Sequence, residues 1–273
     1  MARVPFARTL GFVWESNQDA TARVRLPLSA NAGSPSGKRI DPLAVLALLD
    51  HACSASVYLA LPAPSLIATL DLRCEFAHEI LAGSDVVCQA QATYLDDAFA
   101  VVRASAVDSA SGQVVAYASS TYALGTHPGM TKSEVEAKSW TESQVQRVEH
   151  PSFQDLLGLQ FDSPQRGWLP FQKCLVGAVS LPAVHGGASA ASLVIAAIRL
   201  AAHEMPTQAR WRPQSVTVNY LRAVHTAPLE LRPHVRKPGR RACVVAVSSF
   251  QAEPSQEAVH GECLLVPQAA ICN

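Results

Sequence analysis

The sequence predicts an α+β fold built twice in tandem, each copy a long apolar helix wrapped by a curved antiparallel sheet. Three observations carry this expectation. Landmarks recur at a near-constant interval: Gly11 to Gly158 spans 147 residues, Asp41 to His185 spans 144, and Phe76 to Tyr220 spans 144. Each copy holds one apolar helix-forming stretch, opened by Asp41-Pro42 in the first and by His185-Gly186 in the second. Each stretch is followed by strand-like runs separated by turn residues. A lone apolar helix must be covered on most sides, and a curved sheet does this.

The first copy opens with Leu10-Gly11-Phe12 and a polar stretch. Its helix is bounded by Asp41 as N-cap, Pro42 at the first helical position, and Pro62 and Pro64 beyond the end. Residues 65–75 alternate, with Leu66, Ala68, Leu70, Leu72 and Cys74 on one face and Thr69, Asp71, Arg73 and Glu75 on the other. Residues 86–94 and 99–107 read as a hairpin turning at Asp96-Asp97, residues 108–112 as a turn, and residues 114–124 as the last strand. Residues 125–150 are polar and read as a linker. Within it, residues 133–148 read as a short helix capped by Ser133, with Glu136 three residues on.

The second copy repeats the order. Leu157-Gly158-Leu159 opens it, and the helix starts at Gly186. A strand then runs through Asn219-Tyr220-Leu221, two long strands turn at Lys237-Pro238-Gly239-Arg240, and the last strand covers residues 260–266. The expected units are residues 1–124 and 151–273, joined by the linker.

Composition narrows the function classes. Hydrophobic residues make up 49% of the 273 and charged residues 16%, which favours a well-buried globular protein. Lys+Arg and Asp+Glu both number 22, so no global field draws the chain to nucleic acid. Polar residues interrupt every long apolar run, so no membrane span is expected. Met1-Ala2-Arg3-Val4-Pro5 lacks the apolar core of a signal peptide. Seven scattered cysteines without a Cys-x-x-Cys suit a reducing compartment, and the cytoplasm is expected. Neither a metal nor a cofactor is implied. There is no Gly-x-Ser-x-Gly, Walker loop, Gly-x-Gly-x-x-Gly or His/Cys metal spacing.

The two helices carry complementary chemistry. Asp50 lies eight residues beyond Pro42, and Val194 lies eight beyond Gly186. Asp50 sits among Leu46, Leu48, Leu49 and Ala52, so it must be paired, protonated or facing a wet cavity, and burial would tune it as an acid or base. The blander reading is a solvated helix stripe shared with His51. His185-Gly186-Gly187 offers unpaired N–H groups and bare backbone at a helix start, suited to an oxyanion, although a plain turn would look the same. Pro42 has no N–H to offer. Ser54, one helical turn from Asp50, and Thr69, on the next strand, are candidate hydroxyls for holding a water. Ser54 would equally bond back to its own helix, and Thr69 requires the strand to bend. Arg222 and the Arg240-Arg241 turn are candidates for binding phosphate groups, or else solvated surface.

These residues resemble the hotdog-fold thioesterase superfamily in its tandem, double-hotdog form. The likeness is carried by His185-Gly186-Gly187 with the Ala/Leu helix that follows, by Val218-Asn219-Tyr220-Leu221-Arg222, and by Leu48-Leu49-Asp50. The run Ala68-Thr69-Leu70-Asp71-Leu72 up to Phe76 is similar to bacterial acyl-CoA thioesterase II. The resemblance implies two hotdog units packed as a pseudo-dimer. It implies Gly186 as oxyanion donor, Asp50 as base or nucleophile, and Thr69 or Ser54 as the water-positioning hydroxyl. His185, Gly187, Arg222, Arg240 and Arg241 would bind substrate. The expected partner is acyl-CoA or another acyl thioester, and a homo-oligomer of double hotdogs is compatible with the pattern. This chain departs from the family pattern at the last strand, where Ser119 or Ser120 stands in place of a Gln. A non-catalytic acyl-CoA-binding protein is the alternative. A hydratase would want a His soon after an Asp at the helix start, and Asp41 is followed by Pro42-Leu43-Ala44-Val45-Leu46.

Overall fold

The computed structural model describes residues 4–18, 20–63, 65–125, 149–177, 183–205, 210–251 and 256–268. The expected helix at residues 133–148 lies outside them. Four α-helices are described: α1 (Pro5–Leu10), α2 (Pro42–Ala60), α3 (Phe153–Leu157) and α4 (Gly186–Glu204). Twelve strands form one antiparallel sheet. In the first half they are β1 (Val13–Gln18), β2 (Thr21–Leu26), β3 (Ile67–Phe76), β4 (Val86–Leu95), β5 (Phe99–Asp108) and β6 (Val114–Leu124). In the second half they are β7 (Gln160–Ser163), β8 (Arg166–Leu169), β9 (Arg210–Tyr220), β10 (Leu229–Lys237), β11 (Cys243–Phe250) and β12 (Glu257–Gln268).

The strand order is β1-β2-β4-β5-β6-β3-β9-β12-β11-β10-β8-β7. Under the sequence repeat this order is a palindrome, with β3 and β9 meeting at its centre. There Arg73 pairs with Thr217, the residue 144 positions later, so the repeat interval marks a pseudo-twofold axis through that pair. The two halves also interlock. The Phe6 N–H donates to the Val176 carbonyl at 3.1 Å, and the Phe153 N–H donates to the Gly33 carbonyl at 2.8 Å.

Helices α2 and α4 each have 19 residues and start where the sequence signals placed them. The Asp41 side chain caps α2 by accepting from the Leu43 N–H at 2.9 Å. Helix α2 is buried almost all round, including the whole run from Leu43 to Cys53, because β2 to β6 cover one side and α4 the other. By length and composition both helices could cross a membrane, but most of each is buried against the sheet and the other helix.

Two features depart from the expected pattern. The polar stretches after α1 and α3 form short hairpins, β1-β2 and β7-β8, that extend the sheet at its edges. The alternation along β3 breaks at a bulge. Thr69 pairs with Tyr122 and Asp71 with Thr121, leaving Leu70 unpaired and 36% exposed. Directly opposed residues share a face. Thr69 therefore lies on the side of wholly buried Tyr122, with Leu72 and Cys74, and not on the outer face. An equivalent bulge leaves Gln214 unpaired in β9, again 144 residues on.

Candidate active site

Asp50 of α2 meets the start of α4. Its Oδ2 accepts from the Gly187 N–H at 2.6 Å and lies 3.1 Å from His185 Nδ1. Asp50 is only 3% exposed, so the solvated-stripe reading does not hold. A buried carboxylate needs compensation, and the helix start supplies it through the N–H and the dipole. The other oxygen, Oδ1, is buried without a hydrogen-bond partner among the described residues.

Each glycine of the pair answers to a specific contact. A Cβ on Gly186 would lie 2.8 Å from Asp50 Oδ2, so a side chain there would displace the carboxylate. A Cβ on Gly187 would lie 2.6 Å from Ala47 Cα, so Gly187 lets the two helices approach. The Gly187 N–H is shared between Asp50 Oδ2 at 2.6 Å and His185 Nδ1 at 3.1 Å. The Gly186 N–H has no acceptor among the described residues and remains the open donor of the pair.

Two histidines complete the buried cluster. His185 Nε2 lies 3.4 Å from His51 Nδ1, and both rings are nearly inaccessible. Phe6 packs on His185 with ring centroids 5.0 Å apart, and Phe12 and Trp14 pack on His51 at 5.1 and 5.9 Å. Burial, aided by the His185 charge, pushes the His51 pKa down to about 3, so His51 is neutral near pH 7. His185 caps α4: its Nδ1 accepts from the Gly187 N–H at 3.1 Å and lies 3.1 Å from Asp50 Oδ2. The buried His51 Nε2 has no partner among the described residues.

Three more hydroxyl groups approach. The Tyr220 hydroxyl donates to the Gly186 carbonyl at 3.0 Å, tying the end of β9 to the helix start. Tyr122 is wholly buried beside Ser120, and burial, aided by the Asp50 charge, pushes both tyrosine pKa values up. Ser189, in the first turn of α4, is 1% exposed and its Oγ has no partner among the described residues.

Several expected site residues take other places. Ser54 Oγ donates to the Asp50 and His51 carbonyls at 3.0 Å each, so it bonds back along its helix. It does not reach the carboxylate. His185 and Gly187 are buried and hold Asp50, with Phe6 packed on the His185 ring. Ser120 donates to the Asp71 carbonyl at 2.6 Å. Arg222 is exposed and lies two residues beyond Tyr220, past the end of β9. Arg240 and Arg241 do not join it. Tyr220 pairs with Val259 and Val259 with Ser249, whereas Cys243, beside the Arg240-Arg241 turn, pairs with Leu265 and Leu265 with Pro213. The basic turn therefore sits at the Pro213 end of β9, ~20 Å along the strand from Tyr220.

His51, Tyr220, Ser189, Phe6, Phe12 and Trp14 were not read from sequence as site residues. For His51 and Tyr220 a signal existed, since His51 adjoins Asp50 and Tyr220 replaces Phe76 of the other repeat. The aromatic residues come from α1 and the edge hairpin, whose docking no local pattern reveals. Among the described residues, no cluster of His, Cys, Asp and Glu could hold a metal ion.

Two family profiles match, one in each half. A profile described as "Thioesterase superfamily" matches residues 44–115, and one described as "Acyl-CoA thioesterase N-terminal domain" matches residues 178–266. The chain belongs to the thioesterase superfamily. Its two hotdog domains stand in tandem, with the N-terminal-domain profile falling on the second. Similar solved structures share the fold over nearly their whole length. A thioesterase II of Thermobifida fusca superposes with a TM-score of 0.64 at 12% identity, covering 97% of this chain and 98% of that one. A TesB protein of Mycobacterium avium subspecies paratuberculosis gives 0.63 at 10% identity, with 96% and 98% covered. The 12:0-ACP thioesterase of Umbellularia californica gives 0.61 at 11% identity, with 93% and 98% covered. No curated protein matches the sequence.

Proposed function

We propose that the chain hydrolyses an acyl-CoA thioester at one composite site, with Asp50 as general base and the Gly186 amide as oxyanion donor. One observation carries the reading: the buried carboxylate of the first hotdog is held by the helix start of the second, with one oxygen engaged and the other bare. Oδ1 accepts a proton from a water. The water oxygen bonds to the thioester carbon, and the carbonyl oxygen, now negative, accepts from the Gly186 N–H. As the C–S bond breaks, the thiolate takes the proton from Asp50, giving an acid and a free thiol. His185 keeps the carboxylate in place, with His51 packed behind it. Thr69, turned to the inner face by the bulge, is the hydroxyl closest in role to a water holder, with Tyr122 beside it. Exposed Arg222, two residues beyond Tyr220, suits a phosphate of the carrier.

The test is a thiol-release screen over acyl-CoA esters of graded chain length, with acyl carrier protein thioesters in parallel. Turnover of one class, lost in Asp50→Asn, supports the reading. Saturable acyl-CoA binding without release of thiol from any ester would favour a binding protein.

A further inference from the structure

The pseudo-twofold axis that builds the Asp50 site generates a second position. There Pro42 stands for Gly186, Phe76 for Tyr220 and Pro213 for Thr69, each 144 residues from its counterpart. All three line a cavity of about 270 Å³. The catalytic parts are gone, because Pro42 has no N–H, Phe76 no hydroxyl, and Val194 replaces the acid. The space has not closed.

Its charge differs from that of the Asp50 end. Glu79 is fully engaged: Arg39 Nη1 donates to Oε2 at 2.9 Å, and Gln268 Nε2 donates to Oε1 at 3.0 Å. The side chain of Arg212, which also lines the cavity, makes no hydrogen bond or ion pair among the described residues. The hairpin turn at this end carries Lys237, Arg240 and Arg241, two strands away from Pro213. The equivalent turn at the Asp50 end carries Asp96 and Asp97. An apolar wall of Ile40, Val45 and Phe76 thus meets an unmatched guanidinium, with the basic turn two strands away.

We infer that this cavity is a second, non-catalytic binding site for an amphipathic anion, a short apolar chain ending in a carboxylate or a phosphate. The chain lies against Val45 and Phe76, and the anion pairs with Arg212. The inference does not depend on hydrolysis at Asp50.

Calorimetric titration of hexanoate, hexyl phosphate and hexanol, into wild type and into Asp50→Asn, tests it. At least one anion should bind one per chain, equally in both proteins, with hexanol about tenfold weaker. Binding of hexanoate alone identifies a carboxylate ligand, and of hexyl phosphate alone an organic phosphate. Arg212→Gln should weaken the anion about tenfold and bring it level with hexanol. Val45→Phe should fill the cavity and remove binding while hydrolysis persists. Saturable binding by neither anion, binding that disappears in Asp50→Asn, or binding untouched by Arg212→Gln would overturn the inference, whether or not Val45→Phe folds.

Discussion

Asp50→Asn separates chemistry from architecture. In the native site Oδ2 accepts from the Gly187 N–H at 2.6 Å and faces His185 Nδ1 at 3.1 Å. An amide oxygen placed at Oδ2 keeps both contacts, so the helix junction should survive. Replacing a charge-assisted bond by a neutral one costs about 1 kcal/mol, offset in part by relief of the buried charge. What the amide cannot do is take a proton from water at the Oδ1 position. General-base catalysis contributes about 10²–10⁴-fold, which is about 2.7–5.4 kcal/mol of barrier at 1.36 kcal/mol per decade. The expected result is a kcat reduced by that range, a KM changed by no more than about threefold, and a melting temperature within a few degrees of wild type. The assay is thiol release from the best acyl-CoA substrate, alongside thermal unfolding. A kcat within about threefold of wild type would remove Asp50 from the chemistry and, with it, the composite site.

Other expectations follow from single contacts. Gly186→Ala sets a Cβ 2.8 Å from Asp50 Oδ2 and should lower kcat about tenfold or more with little loss of folding stability, read by kinetics and urea unfolding together. Gly187→Ala sets a Cβ 2.6 Å from Ala47 Cα and should destabilise the fold by about 1–3 kcal/mol, since neither helix backbone yields cheaply; an unchanged urea midpoint would contradict the close approach. Tyr220→Phe removes the hydroxyl that donates to the Gly186 carbonyl and should cost about 0.5–1.5 kcal/mol in the same measurement. His51 has a folded pKa depressed from 6.5 to about 3, so below pH 6.5 the unfolded chain binds a proton that the folded chain refuses. Stability should therefore fall as pH drops from 6.5 towards 3, by up to about 1.4 kcal/mol per unit from this group. His51→Gln should flatten that part of the profile, and identical pH slopes for the two proteins would show that His51 is not held neutral.

The legible parts of this chain were those fixed by local rules. Asp41-Pro42 and His185-Gly186 marked both helix starts because capping chemistry is read within a few residues. The hairpin at Asp96-Asp97 and the strands around it followed from alternation and turn residues. The facing of Thr69 was not legible, because a bulge at Leu70 shifts the face of every residue before it without leaving a residue type that announces it. The placement of Arg240 and Arg241 failed for another reason. Basic composition gave no information on which end of the sheet the turn occupies, and the strand register decides that. Gly187 was legible as a helix-start glycine, but its partner lies 137 residues away in Asp50, beyond any local pattern.

The asymmetry between the two ends follows from having both hotdogs in one chain. A dimer of identical units must repeat every contact about its axis, so a glycine that admits a facing carboxylate appears twice, as does the carboxylate. Here the residue equivalent to Gly187 is Leu43, buried at 3% exposure, and the residue equivalent to Asp50 is Val194, wholly buried. Each exchange replaces a polar or bare backbone position by an apolar side chain of the core, which adds about 1.5–3 kcal/mol of burial for a fully buried Leu or Val. A second buried carboxylate would instead need its own N–H and His partners to offset desolvation. Fusion therefore allows one end to keep a costly charged cluster while the other contributes packing. The free energy that holds Asp50 between His185 and Gly187 can come from the opposite end of the same sheet.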